Sequence, residues 1–199
     1  MSLSEVEDAI SKLRAIHDLQ SGRLVDLILT LDTLGDGMEV KKFTICGIDP
    51  GKNGGAAKIS NDGILLDKAT MFFQGKNEFD PIAYADFLTG VDHVFIEKVS
   101  ARPGNGGVSM FNFGQAYMFC QIVPKLLKIP ITLVTPQQWQ KTMHVGVDKT
   151  LDPKQRSLVA FTRLFPNEDL RATDRCTKQH DGIIDALLLA EYGRRFLRN

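Results

Sequence analysis

Four acidic residues lie at points in the chain where their side chains could meet around metal ions. Asp49 ends one apolar run, Glu97 ends another, and Asp181 and Asp185 lie four positions apart, on one face of a predicted helix. Carboxylates that lie close together raise one another's pKa, so a cluster of them stays ionised only with cations among them. Oxygen ligands favour hard cations such as Mg²⁺ or Mn²⁺. The sequence therefore predicts a site for two divalent ions.

Hydrolysis of a phosphodiester is the chemistry that such a site would perform. Two ions about 3.5 to 4 Å apart can activate a water molecule and stabilise the leaving oxygen in an in-line attack. Each acid also has a simpler interpretation: Asp49 could cap a turn, Asp181 could begin a helix, and Glu97 could pair with Lys98 or Arg102. The metal site is favoured because three separate elements begin or end with an acid where a sheet would gather them.

The elements that would position these acids belong to an α/β fold. Short apolar runs predict five strands, over residues 43–49, 54–60, 63–73, 93–97 and 131–135. Helical patterns predict helices over about 81–88, 110–127, 136–143, 153–164 and 180–197. A meander of strands followed by strands alternating with helices indicates a mixed sheet flanked by helices. Asp49 and Glu97 would then end adjacent strands, at the edge where ligands bind in open α/β folds.

Residues 1–40 are predicted to form a helical arm before the α/β domain at 41–199. A Ser-x-x-Glu capping box begins a helical pattern over about 5–20, and a second pattern covers about 23–34. The arm has five more acids than bases, and the domain has five more bases than acids. The domain surface could therefore meet a polyanion. The two helices of the arm loosely resemble a SAP-type DNA-binding hairpin, although the arm is acidic. It could equally serve dimerisation or cover the domain, and its role stays open.

The composition is that of a globular protein. The 199 residues are 43% hydrophobic and 24% charged, with a mean hydropathy of −0.09, which excludes disorder or membrane insertion for most of the chain. Cys46, Cys120 and Cys176 form no CxxC pair, so neither a disulfide framework nor a structural zinc site is expected. The acidic N-terminus lacks the apolar stretch of a signal peptide. A reducing cytosol is the predicted compartment.

Four segments together resemble the RuvC-type Holliday junction resolvases of the ribonuclease H-like superfamily. They are Gly-Ile-Asp-Pro-Gly at 47–51 with the glycines after it, Phe-Ile-Glu-Lys at 95–98, Phe-Gly-Gln-Ala at 113–116 and His-Asp-Gly-Ile-Ile-Asp at 180–185. The resemblance covers about residues 43–195. It implies a ribonuclease H-like fold, cleavage of four-way DNA junctions by a homodimer, and Mg²⁺ or Mn²⁺ as the only cofactor.

The same resemblance implies roles for individual residues. Asp49, Glu97 and Asp185 would be metal ligands, with Asp181 as the fourth. The last two acids lie three positions apart in the bacterial members and four apart here, as in the chloroplast branch. This departure makes His180 a competitor of Asp181 in completing the site or in positioning water.

Basic and aromatic residues near these motifs are the predicted DNA contacts. The resemblance implies that Lys154 projects toward the scissile phosphate, where an ammonium group stabilises developing charge, and Lys149 is its rival. Arg102, Asn105 and their glycine-rich loop could follow a phosphate backbone. Phe111 could wedge into an opened base step.

Two further expectations concern the helix over 110–127. Phe113, in its first turn, is predicted to be a core residue. The helix is apolar on most sides, so it is buried either inside the domain or against a partner. A two-fold dimer suits a junction with two equivalent strands to cut, so we expect this helix in a homodimer interface. The alternative is a large monomeric core.

The predicted function is that of a metal-dependent endodeoxyribonuclease that resolves four-way junctions by paired symmetric nicks. One alternative is a nuclease of the same fold that cuts flaps and other branched DNA. A second is a sugar-kinase-like ATPase, because those proteins share the fold and also open with an Asp-x-Gly loop, although 199 residues leave no room for their second lobe. A third is a DNA-binding module without catalysis.

Overall fold

The computed structural model describes residues 43–75, 78–100 and 106–198 of the chain. The predicted helical arm at 1–40 and its boundary with the α/β domain lie outside these ranges, and so do Arg102 and Asn105. What the sequence indicates about them stays a prediction.

Five strands form one mixed sheet in the order β3-β2-β1-β6-β7. They are β1 (Thr44–Asp49), β2 (Gly55–Ser60), β3 (Leu65–Thr70), β6 (His93–Glu97) and β7 (Ile131–Val134). The first three pair as antiparallel neighbours, whereas β6 lies parallel to β1 and β7 lies parallel to β6. The predicted mixed five-stranded sheet is therefore confirmed.

The third predicted strand is wrong at its carboxyl end. The sequence extends it to residue 73, but β3 ends at Thr70 and the chain forms a separate two-stranded hairpin of β4 (Phe73–Gln74) and β5 (Glu78–Phe79). Aromatic packing accounts for the difference, because the ring of Phe73 stacks on Phe79 at 4.8 Å and Phe79 stacks on Phe119 at 4.6 Å. These contacts join residues that are distant in the chain, so no local pattern indicates them.

Five helices complete the described part of the chain: α1 (Pro81–Phe87), α2 (Gly107–Leu126), α3 (Pro136–Met143), α4 (Pro153–Leu164) and α5 (Asp181–Arg198). The predicted bounds of α3 and α4 are confirmed. Both helices begin with a capping box and a proline in the first turn, formed by Thr135 with Gln138 in α3 and by Asp152 with Gln155 in α4. Such caps satisfy backbone N–H groups locally, which is why sequence alone locates these ends.

The sheet carries a separate apolar core on each face. One core packs α3, α4 and α5 against the sheet, and the other packs α1 and α2. Along β1 the side chains alternate between them, with Ile45 in the first core and Cys46 and Ile48 in the second. At Gly47 the backbone of α5 lies so close that a Cβ atom would be 2.0 Å from the carbonyl oxygen of Ala186. Helix α5 therefore rests directly on the central strand.

Helix α2 is buried on one side only. Ala116, Cys120 and Val123 lie in the core, whereas Met118, Ile122 and other large apolar side chains of the same helix are exposed. The core of the described domain therefore explains why one face of α2 is apolar, but it does not explain the apolar side chains on the exposed face. No helix in the three described ranges is both long and apolar enough to cross a membrane.

Candidate active site

Parallel pairing of the two central strands places Asp49 beside Glu97. Ile48 of β1 is opposite Ile96 of β6, and each strand ends at the next residue, which is an acid. Neighbouring strands lie about 4.8 Å apart. Two carboxylates thus lie side by side at the carboxyl edge of the sheet, as the sequence predicts.

The start of helix α5 is held against the same edge. Gly182 forms a parallel bridge with Gly54 in the turn between β1 and β2, and a Cβ atom on Gly182 would be 2.3 Å from the carbonyl oxygen of Asn53. Only glycine permits this close approach. It places Asp181 and Asp185 in one cavity of about 500 Å³ with Asp49. Lys154 of α4 also lines this cavity.

The acids act on one another electrostatically. Burial raises the pKa of Asp49 well above its usual range, and Glu97 and Asp185 raise it further. Burial also raises the pKa of Asp185, to about 6, and Asp181 adds to the shift, whereas the Ser157 hydroxyl and the Lys154 ammonium group lower it. Three carboxyl groups from β1, β6 and α5 are therefore close enough to oppose one another's ionisation.

The carboxylate oxygens of the site suit a hard divalent cation, although they do not yet surround a single point where the ion could bind. All the acids offer oxygen ligands, and Oδ1 of Asp185 is buried with no hydrogen-bond partner among the described residues. A cation would provide that partner and relieve the repulsion between the carboxylates. In the described ranges, however, no three or more His, Cys, Asp or Glu side chains are already arranged to hold a metal ion. The acids would have to close on the ion as it binds.

Lys154 lines this cavity, whereas its role toward a phosphate stays a prediction. It lies in the first turn of α4, and its Nζ donates to Oδ2 of Asp181 at 2.8 Å, which raises the pKa of the lysine. Both side chains are largely exposed, so the ion pair contributes little to stability. Its rival Lys149 lies in an exposed turn before α4. Lys178 also lines the cavity and was not among the residues that the sequence analysis selected.

His180 caps helix α5. Its Nδ1 accepts a hydrogen bond from the backbone N–H of Ile183 at 3.3 Å, and its carbonyl oxygen accepts from Ile183 and Ile184. The ring also lines the cavity of the acids. Capping is the simpler interpretation of a histidine before an aspartate, and the geometry agrees with it. A role of His180 in water positioning stays a prediction.

The expectation that Phe113 is a core residue is wrong. Its side chain is half-buried and lines a cavity with Glu97 and Lys98, and it borders a second cavity with Phe73 and Phe79. The reason is that α2 begins beyond the carboxyl edge of the sheet, so its first turns extend past the core. Phe111, the predicted wedge, is 66% exposed. Both rings therefore lie at the surface, and Phe113 lies beside Glu97.

Two residues behind the acids escaped the sequence analysis. Trp139 is fully buried, and its Nε1 donates to Oε2 of Glu97 at 3.2 Å. Ser157 is buried, accepts or donates in a 3.2 Å hydrogen bond with Nε2 of His144, and lowers the pKa of Asp185. Neither belongs to a recognisable motif, and each lies more than two dozen positions from the acid that it acts on. No sequence signal links them to the acids.

Three solved structures to which this chain is similar are those of Holliday junction resolvases. RuvC of T. thermophilus in complex with a Holliday junction substrate is 14% identical, with a TM-score of 0.56 over 78% of this chain and 95% of that chain. A second structure of Thermus thermophilus RuvC is 15% identical, with a TM-score of 0.55 over 78% and 96%. The yeast mitochondrial Holliday junction resolvase Ydc2 is 16% identical, with a TM-score of 0.51 over 76% and 78%.

No protein-family model matches the chain, and no curated protein matches it. At these identities the structural likeness establishes the fold. The chain therefore has the ribonuclease H-like fold of the RuvC-type Holliday junction resolvases, and the resemblance drawn from its acidic motifs is confirmed at that level.

Proposed function

We propose that this protein is a divalent-metal-dependent endonuclease of the RuvC type that resolves four-way DNA junctions. One observation carries the proposal: carboxyl groups from β1, β6 and α5 meet at one edge of the sheet closely enough to raise the pKa of Asp49. Such an arrangement has no structural benefit without a cation, because buried like charges destabilise a fold. The fold that this protein shares with known resolvases supports the junction as substrate.

Each residue of the site has a role in this proposal. Asp49, Glu97 and Asp185 would hold the ions, and either Asp181 or His180 would complete the site. Two Mg²⁺ or Mn²⁺ ions, when bound, would activate the attacking water and stabilise the leaving oxygen. Lys154 already lies beside the acids through its contact with Asp181, so its ammonium group could turn to a phosphate and stabilise the charge that develops there.

The exposed face of α2 supports a homodimer. Met118, Ile122 and Leu126 follow one another at a spacing of four residues and are 59%, 44% and 74% exposed. Together they form an apolar stripe along a 20-residue helix. A stripe of this kind suits an isologous contact with the same stripe of a second copy. Two active sites related by a two-fold axis would face the two equivalent strands of a junction.

Placing a charge in this stripe should separate the dimer. We expect Met118→Glu to be monomeric at micromolar concentrations where the wild type is dimeric, as measured by sedimentation equilibrium. The buried side of α2 is unchanged by this substitution, so the circular dichroism spectrum should stay the same. Ile82→Glu, which charges an equally exposed apolar side chain on α1, is the matched control and should remain dimeric. A monomeric wild type, or a dimeric Met118→Glu, would contradict the proposed interface.

A labelled mobile four-way junction with Mg²⁺ tests the function itself. We expect paired nicks at symmetric positions, leaving 5′-phosphate and 3′-hydroxyl ends because water is the nucleophile. Equal cutting of flaps and Y-forms would instead identify a general nuclease for branched DNA. Binding without cutting would identify a DNA-binding module, and ATP turnover without cutting would identify a kinase-like ATPase.

A further inference from the structure

Helices α3 and α4 place hydrogen-bond donors behind two of the acids. We propose that Trp139 and Ser157 are positioning residues, which restrict the carboxylates of Glu97 and Asp185 so that the acids can close on the divalent ions. His144 in turn fixes Ser157. This inference rests on the proposed function for the presence of the ions, and it adds three residues that no acidic motif indicates.

The only polar side-chain atom of Trp139, Nε1, donates a hydrogen bond to Glu97. The side chain is fully buried in α3, and Nε1 is a donor that cannot accept. Its 3.2 Å bond to Oε2 of Glu97 therefore favours the ionised carboxylate and holds it at a fixed angle. A carboxylate oxygen has two lone-pair directions, so Oε2 can accept from the indole and still bind a cation.

Ser157 lies close enough to Asp185 to lower the pKa of that carboxyl group, and its hydrogen bond with His144 determines which way the Ser157 hydroxyl group can point. A hydroxyl group has a single proton. If Ser157 donates that proton to Asp185, then its Oγ must accept from Nε2 of His144, which lies 3.2 Å away. Burial and the nearby Arg156 and Arg163 lower the pKa of His144 to about 4. A neutral ring with its proton on Nε2 satisfies this arrangement.

The two contacts belong to one packed unit. The ring of Trp139 in α3 meets the ring of His144, the residue that caps the carboxyl end of α3, edge to face at 5.5 Å, and the hydrogen bond between His144 and Ser157 joins this pair to α4. Glu97 and Asp185 are therefore oriented from the same pair of helices. Groups that hydrogen-bond metal ligands from behind commonly change metal affinity by about 10- to 100-fold when they are removed.

Mn²⁺ binding without DNA tests the proposal directly. Free Mn²⁺ measured by electron paramagnetic resonance gives its dissociation constant for each variant. We expect this constant to rise about 10- to 100-fold in Trp139→Phe and in Ser157→Ala. Ser157→Thr, which keeps the hydroxyl group, should restore binding. The Mg²⁺ concentration for half-maximal junction cleavage should rise in parallel, while the rate at saturating Mg²⁺ changes much less.

Two control variants remove similar hydrogen bonds that do not involve Glu97 or Asp185. Tyr84→Phe removes the bond from Tyr84 to the carbonyl oxygen of Cys120, and Ser60→Ala removes the bonds that Ser60 accepts from Asp62 and Ile64. Both should bind Mn²⁺ as the wild type does. If Trp139→Phe and Ser157→Ala also bind it as tightly, the proposal is wrong.

Fluorescence provides a readout that needs no substitution at position 139. Trp139 is the only tryptophan in the chain, so the emission comes from the one indole that donates to Glu97. We expect Mn²⁺ to quench it with the same dissociation constant that resonance gives, and Ser157→Ala to shift that constant even if Trp139→Phe fails to fold. A wild type that binds no Mn²⁺ overturns the inference. A wild type that binds Mn²⁺ as expected but does not cut junctions refutes only the proposed function.

Discussion

Asp49→Asn should abolish junction cleavage and at the same time stabilise the protein. Asparagine has the same shape but lacks the charge that binds a divalent ion, so we expect the nicking rate to fall on the order of 10³-fold. In metal-free buffer the variant also lacks a buried charge that Glu97 and Asp185 oppose. Its free energy of unfolding at pH 7 should therefore exceed that of the wild type by about 1 to 3 kcal/mol.

The gain in stability of Asp49→Asn over the wild type should increase as the pH rises. The pKa of Asp49 is raised in the folded state, so its protonated form stabilises the wild type below the usual carboxyl range of about pH 4, and this contribution is lost as the pH rises through the folded-state pKa. The difference between Asp49→Asn and wild type should thus grow from pH 4 toward neutrality. Urea denaturation with EDTA measures it. Adding Mg²⁺ should shrink it, because the cation stabilises only the wild type.

Asp86→Asn is the control for this prediction. Asp86 is exposed on α1, so the substitution should change neither the nicking rate nor the stability. If Asp49→Asn cuts junctions at the wild-type rate, the assignment of the site is wrong. If it is less stable than the wild type at neutral pH, the carboxylates do not repel each other in the folded protein.

Gly47→Ala should cause the largest loss of stability. A Cβ atom at this position would lie 2.0 Å from the carbonyl oxygen of Ala186 and 2.5 Å from the backbone nitrogen of Ala190, whereas ordinary contacts begin at 3.4 Å. Both atoms belong to the backbone of α5, so the whole helix must move by more than about 1 Å, which costs about 3 kcal/mol or more. Because α5 carries Asp181 and Asp185, cleavage should fall as well.

Gly114→Ala is the matched control for Gly47→Ala. A Cβ atom on Gly114 would meet nothing within 4 Å, and the residue lies inside helix α2. Alanine favours a helix over glycine by up to about 1 kcal/mol, so this variant should be as stable as the wild type or slightly more so. Chemical denaturation followed by circular dichroism compares the two. Equal stability of Gly47→Ala and wild type would show that α5 does not pack on β1 as described.

The elements that sequence reasoning located well are those with local signals. The capping boxes at Thr135 and Asp152 begin α3 and α4 at the predicted positions. The Asn-Asp-Gly sequence at 61–63 is typical of a hairpin turn, and it joins β2 to β3, which pair as antiparallel neighbours. Asp49 and Glu97 end their strands as predicted, because an apolar run followed by an acid marks the point where a buried strand leaves the core.

The features that sequence reasoning missed depend on contacts between distant parts of the chain. The hairpin of β4 and β5 is held by Phe119, and Phe113 lies at the surface because α2 extends past the sheet. Trp139 reaches Glu97 across 42 positions. Such pairs form only once the elements have packed, so neither composition nor periodicity indicates them.

The order and spacing of the acids, the periodicity of the strands and helices and the turn residues were enough to indicate the class of fold and which acids lie at the ends of its strands, since each of these signals acts through immediate neighbours in the chain. Only the tertiary structure decided how close together the carboxylates lie, which buried side chains act on them from the core and which apolar face of α2 stays exposed. Those properties depend on distances between residues that the chain brings together only when α5, β1 and β6 meet.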